Sequence, residues 1–195
     1  MSAAAAVTGA AKSAAQSATA STKSNTVYLF RHIQTSQVLV SLKSSVEKQS
    51  LKQITDVTRR PAHVRPDHWH PLAAIQGFAR PQDALSFHNS LRDHQLNLHA
   101  AKVAEAGHMA QPRRLRAPQE MNQVDQTLVK MVELLDAQVQ EKKGSVKGVK
   151  ILWERDGVRK SILDKEEGVL EGKVLLEGVE HGELIVKRGR DIVNA

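Results

Sequence analysis

Arg59, Arg60 and Arg65 share one stretch of the chain with His63, His68 and His70, and Pro61, Pro66 and Pro71 punctuate it. A guanidinium presents a planar fork that bonds two phosphate oxygens at once, and a stiffened loop loses less entropy when it docks. This stretch therefore has the chemistry of an anion-holding surface. Arg113, Arg114 and Arg116 form a second cluster, just after Gly107 and Pro112. It reads either as a segment that orders on phosphate or as a solvated linker. Trp69 also has two uses open to it. It can stack on an unpaired base, or it can plug the protein's own core, because aromatics make up only 3% of the chain. With Arg31 from the first apolar run, the candidate RNA contacts are Arg31, Arg59, Arg60, Arg65, His68, Trp69, Arg113, Arg114 and Arg116.

Other chemistries find no support. His88, His94 and His99 fall at spacings of six and five, which point their rings in different directions along a helix, whereas zinc ligands on a helix stand three or four apart. No metal site and no cofactor are expected. The strings G-x-S-x-G, G-x-x-x-x-G-K-[ST] and G-x-G-x-x-G do not occur, and residues 27–106 contain Gly77 alone, leaving nothing to cradle a nucleotide's phosphates. Carboxylates such as Asp164, Glu166 and Glu167 lie in charge-rich turns typical of solvated surface. No catalytic residue, and no enzyme, is expected.

Charge is distributed unevenly. Residues 1–116 hold 15 Lys plus Arg against 6 acids, while residues 117–195 hold 13 against 15, so all of the chain's net charge of +7 comes from the first part. The same part holds all but one of the nine histidines. A chain charged in this way is set up to lay one half on a polyanion, where release of condensed counterions supplies sequence-independent affinity. The absence of cysteine excludes a disulfide framework and thiolate zinc sites. No stretch is long and apolar enough to span a bilayer.

The elements that must position these residues follow from periodicity and punctuation. Residues 1–26 are rich in Ala, Ser and Thr, and the first acid of the chain is Glu47. They read as a transit-peptide-like or disordered tail. The runs at 27–31 and 37–42, separated by a polar stretch, predict an antiparallel hairpin. Ser44 and Glu47 have capping-box spacing ahead of Leu51 and Ile54, which predicts a helix there. The apolar run at 72–78 predicts a third strand. Pro81 opens a helix to about residue 103, with Ala84, Phe87, Leu91 and Leu98 on one face. Beyond Pro118, Met121, Val124, Leu128, Met131, Leu135 and Val139 form the seam of a long amphipathic helix ended by Gly144. That seam can cover the sheet or receive a partner helix. Short β-like runs at 149–153, 158–162, 172–176 and 183–186 alternate with turn dipeptides such as Asp156-Gly157; whether they join the first sheet is left open. The expected fold is α+β: a small mixed sheet with a β-hairpin and two packing helices, a long amphipathic helix, then short C-terminal β-hairpins. Its organisation is a tail at 1–26, a basic α/β domain at 27–103, a basic linker at 104–117 and a helix plus β-rich extension at 118–195.

Residues 26–42, TVYLFRHIQTSQVLVSL, resemble the opening of the fungal mitochondrial homologous-recombination protein family, whose members are also fungal-specific proteins of the mitochondrial large ribosomal subunit. The likeness continues through Ser50, Leu51, Lys52, Gln53 and Ile54. It then runs over Arg65-Pro66-Asp67-His68-Trp69-His70-Pro71-Leu72, where the family has a basic residue and Trp-x-Pro-Leu before a strand, and into the helix at 84–98. A Trp-bearing strand at 149–153 is also similar. The resemblance implies the mitochondrial matrix. It further implies ribosomal RNA and neighbouring large-subunit proteins as partners, with mitochondrial DNA pairing or transcription as a second role.

Overall fold

A five-stranded sheet grows from the alternation of apolar residues in two short runs. In this computed structural model, which describes residues 25–47, 50–53, 66–141, 148–155, 179–187 and 191–192, β1 (Val27–His32) and β2 (Val38–Ser41) pair antiparallel as the expected hairpin. β3 (Trp69–Gln76) lies antiparallel on the other side of β1. β4 (Lys150–Trp153) pairs antiparallel with β3, and β5 (Glu180–Glu183) pairs parallel with β4, giving the order β2-β1-β3-β4-β5. β6 (Val186–Lys187) and β7 (Asp191–Ile192) form a separate two-stranded hairpin. The architecture is the α+β one that the sequence predicts.

Both faces of the sheet are covered, because successive side chains point to opposite sides. Val27 and Leu29 of β1, Val38 and Val40 of β2, Ile75 of β3 and Ile151 and Trp153 of β4 belong to one buried cluster. Tyr28, Phe30, Leu39, Trp69, Ala74 and Leu152 belong to the other, with Leu51, Leu184 and the half-buried Val186 and Ile192 over them. Pairing between β1 and β3 shifts register after Leu29, placing Leu29 opposite Ala73 and Phe30 opposite Pro71, so Leu72 is an extra residue in β3. A bulge accommodates Pro71, which has no N–H to give a ladder. At the far end of β3, Gly77 has φ +89°, and a Cβ there would collide with the carbonyl of Gly148. That backbone-on-backbone approach brings β4 alongside β3.

The helices cover the first face. α1 (Pro81–Ala104) starts at Pro81 as expected and buries Ala84, Phe87 and Leu91, while Leu98 is half-buried. α3 (Val124–Glu141) packs beside it, and Leu128, Met131, Val132 and Leu135 are buried in the same cluster as the sheet. The seam from Val124 to Leu135 is therefore intramolecular core, while the side chain of Val139 lies outside the described residues.

Two expected elements take another form. Ser44 and Glu47 do not open a helix: residues 42–45 are bends, Lys43 pairs with Glu47 at 2.9 Å, and a short 3₁₀ helix follows at Ser50–Gln53. The Ser41 hydroxyl accepts the Lys43 N–H at 3.0 Å, turning the chain at the strand end before a helix can form. The helix expected from 121 onwards is also preceded by another, α2 (Arg113–Met121), which contains Pro118. The break falls at Asn122 and Gln123, where the Gln123 N–H bonds the Ser36 carbonyl at 3.2 Å in place of a helical partner. The tail at 1–24, Ile54, Gly144 and the runs at 158–162 and 172–176 lie outside the described residues.

Candidate nucleic-acid interface

The turn between β1 and β2 organises the site. His32 closes it with a backbone bond from its N–H to the Gln37 carbonyl at 2.9 Å, and its own carbonyl accepts the Ser36 N–H at 3.1 Å. Ser36 has φ +55°, the left-handed region that a non-glycine residue adopts only when its surroundings hold it there. The hold comes from His32, which is 1% exposed. Its Nδ1 accepts the backbone N–H groups of Thr35 at 3.2 Å and Gln34 at 3.4 Å, with the Thr35 hydroxyl 3.0 Å away. Two donors on Nδ1 place the imidazole proton on Nε2. Burial and then the nearby His68 push the His32 pKa down, so the ring is held neutral. Its faces meet His68 and Trp69 edge-on at 5.5 and 5.2 Å.

The second arginine cluster and the 3₁₀ turn that follows the first in sequence both adjoin this turn. On one side the Ile33 N–H bonds the His68 carbonyl at 3.0 Å, fixing the turn to the 3₁₀ turn Pro66–His68, where the proline-punctuated stretch ends. On the other, Gln34, Thr35 and Ser36 face Arg114, Ala117, Pro118, Met121 and Asn122 across a cleft of about 380 Å³. The Gln123-to-Ser36 bond ties the two walls together. Arg113 and Arg114 stand exposed in the first turn of α2, which contains no acid. Helix N-termini carry partial positive charge, so cations there cost about 0.3–1 kcal/mol each, a cost that a bound anion relieves. Other cations of the described residues face carboxylates, among them Arg80 with Asp83 at 3.3 Å, Lys130 with Glu133 at 2.9 Å, and Lys150 with Glu180 at 3.8 Å. Among the described residues no carboxylate pairs with Arg114.

Residues 24–104 match the family Mhr1, described as transcriptional regulation of mitochondrial recombination. The matched segment holds β1, β2, β3 and α1, and so the turn, His32 and the whole proline-punctuated stretch. The α2 arginines lie beyond it. A curated relative, the large ribosomal subunit protein mL67 of Schizosaccharomyces pombe, is 39% identical over an aligned length of 62, and the match covers 28% of this chain. The chain spans about a third of that relative's length, 35%. The family description points to the mitochondrion, in agreement with the resemblance read from the sequence, and the relative's name belongs to the ribosome.

The structure gives the remaining candidate residues distinct surroundings. Arg31, in β1 of the matched segment, is one-third exposed and pairs with Glu154 at 3.3 Å, which also has Arg155 at 3.8 Å. Arg116 turns back to the protein. It is 21% exposed, 3.9 Å from Glu120 and in contact with the Met109 sulfur, while Glu120 also bonds His108 at 3.0 Å in a buried pair that pins the turn between α1 and α2. His68 is half-buried. Trp69 is 1% exposed and fills the second cluster, the core use that the sequence left open, so its ring presents no face for a base to stack on. Arg59, Arg60 and Arg65 lie outside the described residues. Sequence reasoning missed His32, Gln34, Ser36 and Asn122. For His32, Gln34 and Ser36 the one signal is the polar stretch between two apolar runs, which marks a turn and says nothing of a cleft; Asn122 has no such signal. Among the described residues there is no cluster of metal-binding side chains, and no helix is long and apolar enough to cross a membrane.

Proposed function

We propose that this protein is a structural component of the mitochondrial large ribosomal subunit and holds ribosomal RNA against its basic face. The observation that carries this reading is the exposed, acid-free first turn of α2 beside the β1–β2 turn, with Arg113 and Arg114 at its positive end; the turn Pro66–His68, which follows Arg59–Arg65 in sequence, meets the other flank. The mitochondrial family description and the ribosomal name of the relative support it. In this reading the basic domain at 27–103 and the segment at 104–117 face RNA, while the more acidic extension at 118–195 contributes strands to the sheet and, beyond its first few residues at 118–122, faces protein or solvent. Arg113 and Arg114, with Arg59, Arg60 and Arg65, are the phosphate contacts; Arg31 and Arg116 act nearer the protein, holding Glu154 and Glu120. The chemistry is retention, with no bond made or broken. Neutralising five phosphates gives a log–log salt slope of about −3.5 on single strands.

Sedimentation of a mitochondrial lysate tests the reading. The protein is expected to run with large subunits and to leave that fraction after ribonuclease treatment. Migration with the free-protein fraction before treatment refutes it.

A second reading, as a DNA-pairing protein of the nucleoid, is favoured by the recombination wording of the family description. It predicts co-sedimentation with DNA that is abolished by deoxyribonuclease and insensitive to ribonuclease.

A further inference from the structure

Phosphate retention needs only charge on an open surface, and the cleft beside the β1–β2 turn is built for more than that. Its lining includes the apolar Pro118 and Met121 and two residues with primary amides, Gln34 and Asn122. A primary amide offers two donors and one acceptor, the pattern needed to meet the edge of a base. Arg114 adds a cation to the lining, and among the described residues no carboxylate lines the space. Pro118 has no N–H to give the carbonyl of Arg114, so the proline leaves that acceptor without its usual helical partner. At about 380 Å³ the cleft stands near the lower end of the roughly 300–1,000 Å³ range of small-ligand sites, a size that accommodates one nucleotide. Both walls are fixed in advance, by the Gln123-to-Ser36 bond and by His32 beneath Gln34 and Thr35.

We propose that this cleft receives a single unpaired nucleotide of RNA. The base lies on Pro118 and Met121 with its edge bonded by the Gln34 and Asn122 amides, and its phosphate is held by Arg114. An isolated phosphate or carboxylate would satisfy Arg114 but would leave both amides and the apolar wall without partners, whereas a nucleotide brings a phosphate, a flat apolar face and a hydrogen-bonding edge in one rigid unit. The proposal rests on the RNA-holding reading and deepens it, because sequence-specific RNA recognition uses splayed-out, unpaired bases.

The test uses the full 195-residue chain and two RNA hairpins that differ only in one bulged 4-thiouridine. The expected result is preference for the bulged hairpin by about tenfold, as one or two net hydrogen bonds would give. Irradiation should then crosslink the thiouridine to peptides containing Gln34–Ser36 or Pro118–Met121. The double variant Gln34→Ala, Asn122→Ala should reduce the preference to about one. Because the crosslink is read on the unaltered protein, a variant that folds poorly leaves the test intact. Equal binding of both hairpins by the unaltered protein, or a crosslink mapped only elsewhere, overturns the cleft proposal and leaves phosphate retention standing. Failure to bind either hairpin at low salt overturns both.

Discussion

His32→Phe tests whether a buried neutral imidazole sets the shape of the β1–β2 turn. Phenylalanine keeps an aromatic ring against His68 and Trp69 and so leaves little cavity, but it removes the acceptor for the backbone N–H groups of Gln34 and Thr35. Gln34 is exposed and Thr35 half-buried, so water takes over part of the loss. At about 0.5–1.5 kcal/mol for each bond, with the Gln34 contact long at 3.4 Å, the variant should lose about 1–2 kcal/mol at pH 7.5. The pH dependence provides the sharper test. Burial and His68 hold the folded-state pKa of His32 below its unfolded value, so below about pH 6.5 the unfolded chain binds more protons than the folded one. Stability from this group is complete above that pH and falls as the solution is acidified, by up to about 1.4 kcal/mol per pH unit. His94, lowered by burial and by Lys130, contributes a loss of the same sign in both proteins and cancels in the comparison. Urea unfolding followed by tryptophan fluorescence from pH 7.5 to 5 should therefore show the gap between wild type and variant narrowing. A gap that stays constant or widens on acidification would refute the neutral-imidazole account.

Three further perturbations address the frame and the binding face. Gly77→Ala forces a Cβ onto the Gly148 carbonyl at a positive φ and should cost at least about 2 kcal/mol in chemical denaturation, a loss under about 0.5 kcal/mol being incompatible with that close approach. Leu135→Ala, at a fully buried position of α3, should cost about 2–5 kcal/mol without changing oligomeric state; a stability loss that depends on protein concentration would mean that the seam serves a partner instead. Replacing Arg113 and Arg114 together with Ala should weaken RNA binding and flatten the log–log salt slope by about 1.4, and an unchanged slope would remove both residues from the phosphate contacts.

Periodicity and punctuation make the first half of the fold legible. Alternation in β1 and β2, Pro81 at the start of α1, and the three-four spacing from Leu128 to Leu135 are local signals, and local burial satisfies them. The failures are places where a distant partner decides. Ser44 and Glu47 have the spacing of a helix cap, yet Ser41 turns the backbone first and Leu51 is drawn under the sheet. Gln123 interrupts a helical run because the carbonyl of Ser36, remote in sequence, takes its N–H. The parallel pairing of β4 and β5 rests on residues far apart along the chain, and no pattern inside four residues encodes it. For the site, arginine clustering marked α2, but residue type alone could not distinguish Arg114 in the cleft lining from Arg116 turned toward Glu120, or Trp69 on a surface from Trp69 in the core. The cleft depends on Gln34 and Asn122, common surface residues that only the meeting of two turns makes distinctive.

β3 sits at the centre of the sheet, yet the strand on its outer side is synthesised late: roughly 70 residues separate Gln76 from Lys150. At the usual elongation rates of 5–20 residues per second, the newborn chain carries Ile75 and Ala74 on a bare hydrogen-bonding edge for about 4–14 s. Such an edge is a template for aberrant association between nascent chains. Completion of this molecule should therefore depend on a holding factor, or on slow release, until its last third emerges to seal that side.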